Sequence, residues 1–186
     1  MHRSNGKLPE QFAADLATLS RTEVTLQNPV EAGFRSAMRR LASSVAVITS
    51  FHDGIRYAMA ATSVQSLSMD PPSLVACVKE GASLHFPLFS RAPFCVNILS
   101  ASQISIAEAC GGKAPLSRRF DIGEWRETEN GVPYLLGAQA NIKCDTAAHV
   151  PWSTHGIFIG HVTEVQTTTD IEPLVYVDGR YIGLNL

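Results

Sequence analysis

The fifteen residues Ala58–Pro72 (AMAATSVQSLSMDPP) place hydroxyl donors among small side chains and end on an Asp-Pro-Pro corner. Thr62, Ser63, Ser66 and Ser68 can each donate an O–H, while Ala58, Ala60 and Ala61 leave the backbone approachable. Chemistry suited to such a segment is the binding of something flat or anionic. Ser and Thr also line the polar face of ordinary strands, so these residues alone serve a core strand as well as a cradle.

Other candidate groups point away from several chemistries. His149, His155 and His161 are spaced by six, which puts all three on one face of an unbroken strand. Pro151-Trp152 interrupts that strand, and with no H-E-x-x-H or Cys/His cluster a metal site is not expected. His155 stands out within STHG, at the start of the apolar IFIG, where a ring can face a cleft while its neighbours are buried. Gly111-Gly112-Lys113 looks like the end of a P-loop, but Ala107 stands where that motif needs Gly and Ala114 where it needs Ser or Thr. Neither a G-x-G-x-x-G after a strand nor a G-x-S-x-G elbow occurs. The four cysteines, Cys77, Cys95, Cys110 and Cys144, form no C-x-x-C pair, and three have apolar neighbours. They read as reduced, buried thiols.

The elements that must hold these groups are mostly strands. Leu8, Phe12, Leu16 and Leu19 have helical spacing within residues 1–27, a peripheral arm. The domain then runs over residues 28–186. Asn28 caps a helix, Pro29 opens it, Glu31 is placed for a capping box, and Phe34, Met38, Leu41 and Val45 trace an apolar stripe. Arg35, Arg39 and Arg40 read as its solvated face. Val45–Phe51 and Arg56–Ser68 form a hairpin about Asp53-Gly54, and Leu74–Lys79 returns from the Pro corner. A short helix is expected over Ser83–Ser90, a strand over Phe94–Leu99, and a helix over Ser102–Cys110 ended by Gly111-Gly112. A loop spans Lys113 to Gly131, followed by strands Ala138–Ala147, Gly156–Thr167, Leu174–Val177 and Arg180–Leu184. Many strands without βαβ alternation predict a mainly β fold, an antiparallel barrel with small appended helices.

Composition narrows the setting. With 186 residues the chain can bury a genuine core, and 15 basic against 17 acidic side chains argue against a broad nucleic-acid-binding face. No apolar run approaches the roughly 18 residues of a membrane span, and the N-terminus lacks a signal-peptide core, so a cytoplasmic protein is expected.

In order, FRSAMRRLASSVAVITS, AMAATSVQSLSMDPPSLVACV, NILSASQ, GGKAPLSRRF, Trp125 with Gly131-Val132-Pro133, NIKCD, STHGIFIGHV and PLVYVDGRYIGL resemble the flavin reductase-like family of the FMN-binding split barrel. The resemblance covers about residues 33–184. It implies an antiparallel Greek-key split barrel, a homodimer, and an NAD(P)H:flavin oxidoreductase that hands reduced flavin to a separate monooxygenase. FMN or FAD would be the flavin and NADH or NADPH the hydride source. A flavin carrier or sensor without turnover, or a corrinoid cobalt reductase, is the alternative on the same barrel. Carried over by position, Ala61, Thr62, Ser63 and Val64 would lie along the flavin ring and ribityl chain. Ser66 and Ser68 would add hydrogen bonds from the same strand face, and Asp70-Pro71 would fix the corner. Cys77, Lys79, Ala82 and Ser83 would follow the flavin tail, Ser83 as a helix-start donor to phosphate. Arg119 and Phe120 would lie near the cofactor, Tyr181 at the flavin edge and His155 beside the nicotinamide. The family's usual Gly-x-Thr is here Ala58-Met59-Ala60, and its frequent His after the terminal Tyr is Ile182.

Overall fold

The computed structural model describes residues 28–184, and the arm expected over 1–27 lies outside the described residues. Helix α1 (Pro29–Met38) opens as its sequence predicts: the Asn28 side chain accepts a hydrogen bond from the Val30 N–H at 3.0 Å, with Pro29 in the first turn. Glu31 does not close a capping box. Its carboxylate pairs with Arg35 one turn later at 2.8 Å, a competing partner on the same face. The apolar stripe is present yet unburied within the chain: Phe34 is 64% exposed and Leu41 56%, and only Val45, past the helix, enters a core. A polar clip holds the helix instead. Arg39 donates from Nε to the Asp178 carboxylate at 2.9 Å and from Nη2 to the Asp178 carbonyl at 3.1 Å, so it is not simply a solvated residue like Arg35 and Arg40.

Strands β1 (Ser43–Ser44), β2 (Ala46–His52), β3 (Ile55–Ala61), β4 (Val64–Met69) and β5 (Pro72–Lys79) follow. The predicted hairpin is there, with Asp53 and Gly54 at φ 49° and 77°. The return strand expected over Arg56–Ser68 is two strands, β3 and β4, broken at Thr62-Ser63. After helix α2 (His85–Phe89) come β6 (Phe94–Ile98), helix α3 (Ile104–Glu108), β7 (Trp125–Glu127), β8 (Pro133–Leu135), β9 (Ala140–Trp152), β10 (His155–Thr167), β11 (Leu174–Val177) and β12 (Arg180–Gly183). The segment expected as a loop contains β7, which pairs with β8.

The principal sheet has seven strands in the order β3-β2-β6-β9-β10-β5-β4. Its two edges, β3 and β4, are consecutive in sequence and joined by Thr62 and Ser63 alone. Consecutive Cα atoms are 3.8 Å apart, so that link spans at most about 11 Å. A flat sheet of this size would hold its edges about 29 Å apart at the usual strand spacing. The sheet therefore curls until its edges meet at a seam, the split barrel that the resemblance implies.

Two apolar clusters follow from the curl. Inside the barrel lie Ile48, Ala76, Val78, Phe94, Val96 and Phe158, with Leu84 and Leu88 of the α2 region. Outside β2 and β3, Val47 and Ala58 are covered by Ile106, Ala107, Cys110, Leu135 and Leu174. β2 is thus buried on both faces, which is why it reads as AVITS rather than as an alternation. Between the clusters sits one polar hub. Asn97, fully buried, donates from Nδ2 to the Val47 carbonyl at 2.8 Å and accepts at Oδ1 from the Leu135 N–H and from Asn141 Nδ2, each at 2.8 Å. It ties β6 to β2, β8 and β9.

Replacing Asn97 with Ala leaves the Leu135 N–H without its acceptor in a dry site, so a loss of about 2–4 kcal/mol is expected in urea unfolding. A loss below about 0.5 kcal/mol, the range of an ordinary surface change, would show that Asn97 is not a hub.

Candidate functional site

The seam is where the hydroxyl-rich stretch meets its neighbours. Ser63 is tied to β5 by both polar groups: its carbonyl accepts from the Cys77 N–H at 3.1 Å and its hydroxyl donates to the Cys77 carbonyl at 3.0 Å. Thr62 is exposed and lines an open cavity of about 290 Å³ together with Leu41, Tyr176 and Asp178. Ala61 is buried, and Val64 and Ala82 pack partly against the interior cluster, so these three offer the outside their backbone rather than a side chain.

Along β5, Val78 points into the core, so Cys77 and Lys79 share the outer face. Lys79 pairs in register with His155 of β10, and Cys77 with Ile157. Residues so paired lie side by side on one face, which sets Lys79 and His155 together on the outside of β5 and β10. Thr154 Oγ1 is 2.9 Å from His155 Nδ1, a contact that orients the ring and leaves Nε2 as its other polar atom.

A second group closes around Arg119, which follows a short 3-10 turn at Leu116–Arg118. Its Nη1 donates to the Ala58 carbonyl at 2.6 Å and to Ser83 Oγ at 3.4 Å, and its Nε to the Ala114 carbonyl at 3.3 Å. Ser83 lies two residues before α2, outside the helix, so its hydroxyl rather than a helix start is the donor it offers. Phe120 belongs to the outer core: Arg56 covers its ring at 4.7 Å and Trp125 meets it edge-on at 5.1 Å. Its faces are committed to packing.

On the far side of β3, the Tyr181 ring lies 5.1 Å from that of Tyr176, tilted by 57°. A Cβ placed on Gly111 would sit 3.8 Å from the Tyr181 hydroxyl and 3.9 Å from Ala60 Cβ. The π-helical turn Ala109–Lys113 thus lies between Tyr181 and Ala60 of β3, both of which pack against the outer cluster. Burial first, then Tyr176, holds the Tyr181 phenol above its ordinary pKa.

Not all the expected residues converge. A β-bulge between Ser66 and Ser68 pairs Ser66 with Leu74 and Ser68 with Ser73. Leu74 and Ser73 face opposite sides, so the two serines do as well, contrary to the expectation of a shared face. The Ser68 hydroxyl is spent at the corner, accepting from the Asp70 N–H and donating to the Asp70 carbonyl, both at 3.1 Å. Asp70 and Pro71 sit with it at the far end of β4, about 20 Å along the strand from Ser63. Of the three spaced histidines two share a face: His155 and His161 stand opposite Lys79 and Ser73 on the outer face, whereas the chain reverses after Trp152 and His149 is paired with the buried Phe158. Burial, with His85 and Arg91 nearby, lowers the His149 pKa.

Thr154 and Tyr176 were not singled out from the sequence. A Thr directly before a His carries a recognisable signal, because its hydroxyl reaches the ring. Tyr176 gave none, since its role depends on the β11–β12 register.

A family model described as a flavin reductase like domain matches residues 38–185. The reductase component of an FADH(2)-dependent resorcinol hydroxylase from Rhizobium sp. (strain MTP-10005) is 40% identical over 150 residues, covering 80% of this chain and 84% of that protein. An FMN reductase (NADH) from Pantoea ananatis (strain LMG 20103) is 34% identical over 169 residues, 89% of each chain. The solved NADH:FAD oxidoreductase of Streptomyces globisporus C-1027, in complex with NAD and FAD fragments, matches at a TM-score of 0.77 and 26% identity, covering 86% of this chain and 96% of that one.

The cysteines give a simple check on the seam. Burial pushes the Cys95 and Cys144 thiols up to about 12 and Cys110 to about 11, where Arg119 acts in the opposite direction. Cys77 alone of the four is half-exposed, beside Ser63. A disulfide reagent at neutral pH should modify Cys77 in the native protein and all four after denaturation. Native labelling of Cys95 or Cys144 by mass spectrometry would contradict this packing.

Proposed function

The chain belongs to the flavin reductase-like domain family, and on that premise we propose that it is an NAD(P)H-dependent flavin reductase supplying reduced flavin to a separate monooxygenase. The observation that carries this reading is the seam at Thr62-Ser63, embedded in a family match from residue 38 to 185. Its donor set fits a flavin: the Thr62 hydroxyl, the backbone N–H groups at Thr62 and Ser63, the Lys79 ammonium, the Ser83 hydroxyl, and side chains small enough for a planar ring to approach. When bound, the flavin supplies the ring that accepts the hydride and the reduced nicotinamide supplies the hydride. No protein nucleophile or metal is required, so the protein's work is to hold two flat rings in contact with the reacting atoms about 3–3.5 Å apart.

Named residues divide that work. The Thr62 hydroxyl and the backbone N–H groups of Thr62 and Ser63 donate to the ring's polar edge, and the Cys77 backbone, which takes up the Ser63 hydroxyl and carbonyl, fixes Ser63. Lys79 and Ser83 favour the anionic tail. Tyr181, set by Gly111 and Tyr176, limits the ring on its other edge. His155, oriented by Thr154 and standing beside Lys79, bounds the space for the nicotinamide. Ser68, Asp70 and Pro71 shape the corner and hold β4 in place.

We further infer that the working unit is a homodimer. The exposed apolar face of α1, with Val30, Phe34, Met38 and Leu41, supports it, because such a face is rarely left to water. That face continues into the cavity lined by Thr62 and Tyr176, so a second copy would also wall the seat. Four unpaired thiols suit a reducing, cytoplasmic setting.

Mixing the protein with NADH or NADPH and free flavin should give loss of absorbance at 340 nm well above the uncatalysed rate. No such loss, with flavin still bound, would leave a carrier rather than a reductase. In the same assay His155→Ala should raise the KM for the nicotinamide more than it weakens flavin binding, and parallel losses would make His155 structural. Phe34→Glu should shift the protein from dimer to monomer in light scattering. A monomeric wild-type protein would refute the interface.

A further inference from the structure

Arg119 presents a charge problem that the fold itself does not solve. The side chain is half-buried, and its hydrogen bonds go to neutral acceptors: the carbonyls of Ala58 and Ala114 and the hydroxyl of Ser83. Arg118, next to it, has Asp121 at 3.1 Å, but among the described residues no carboxylate forms an ion pair with Arg119. A partly desolvated guanidinium without a counter-charge is costly, which points to an anion as its complement.

The chemistry of the contacts says how that anion is reached. A guanidinium only donates, so Ser83 Oγ must be the acceptor in its contact with Nη1. The single Ser83 O–H is then left to donate elsewhere, polarised by the positive charge behind it. The two carbonyl contacts, from β3 and from the turn at Ala114, hold the guanidinium so that it cannot swing out to meet a ligand itself.

We propose that Arg119 is a positioning residue for phosphate recognition: it aims the Ser83 hydroxyl at the phosphate of the flavin and supplies charge from behind it, without touching the phosphate. This rests on the flavin reading of the seam and goes beyond it by separating a ligand, Ser83, from the residue that sets it. It also makes the site discriminate between phosphorylated flavin and riboflavin.

The test is a double-mutant cycle on the full chain, with binding of FMN and of riboflavin measured by flavin fluorescence quenching. Ser83→Ala should weaken FMN binding roughly tenfold, as loss of one charge-assisted hydrogen bond does, and change riboflavin binding less than about twofold. Arg119→Met should do the same. Combined with Ser83→Ala, Arg119→Met should cost less than about a further twofold, because its effect runs through the missing hydroxyl. Arg119→Lys keeps the charge but not the forked geometry, so it should behave like Arg119→Met. It also carries the cycle should Arg119→Met fail to fold.

Losses that multiply would mean that Arg119 contacts the phosphate directly, and full FMN affinity in Arg119→Lys would mean that charge alone acts. Riboflavin affinity falling in step with FMN would mean a purely structural role. Each of these overturns the proposal. Wild-type protein that binds FMN and riboflavin equally would overturn it while leaving the flavin reading intact. Protein that binds neither would overturn both.

Discussion

Two residues, Thr62 and Ser63, impose the constraint from which the rest of this molecule follows. They join the outermost strands of a seven-stranded sheet, and their short reach forces that sheet to close on itself. Closure creates an interior that must be filled, which Phe94, Phe158, Leu84 and Leu88 do. It also leaves a seam whose backbone is not fully consumed by a ladder. Ser63 shows the transition: one face of the residue is bound to Cys77, while Thr62 before it stays exposed. The seat proposed at the seam is thus a by-product of how the barrel shuts.

Closure explains the alanines as well. Ala58 and Ala60 lie on the outside of β3, a face already covered by the Ala109–Lys113 turn and by Tyr181. Ala61 lies inside. Ala58 is fully buried in that cluster, so a larger residue there would collide with the segment that brings Arg119 to its carbonyl. Small side chains here let three layers approach at one place.

How much of this was legible depended on the range of the interaction. Local signals worked: Asn28 caps α1, Asp53-Gly54 makes its turn, and Leu174–Val177 with Arg180 onward forms its hairpin. Features set by register did not. The Ser66–Ser68 bulge is invisible in a pattern of alternating serines, because an extra residue in a strand leaves no compositional mark. The spacing of His149 and His155 could not reveal that the chain reverses between them. Phe120 was placed near the cofactor by the resemblance of Arg119-Phe120 to the family's pair, and the packing of its ring against Arg56 and Trp125 is set by neighbours distant in sequence. Resemblance proposes a seat in the chain, whereas only the fold separates residues that face the seam from residues that support it.

That distinction bears on what the site can recognise. Groups on β4, β5 and β10 are fixed by strand pairing and resist movement, which suits the holding of a flat ring. The contacts of Arg119 and Tyr181 come instead from a π-helical turn, a short 3-10 turn and the outer strand of the separate three-stranded sheet β1-β11-β12, none of them part of the seven-stranded sheet. Local openings of a structure are drawn from such elements first. The rigid wall of the seat is therefore built from the barrel and its adjustable wall from the appended segments, an arrangement in which a ligand can enter and leave without any strand of the barrel having to part.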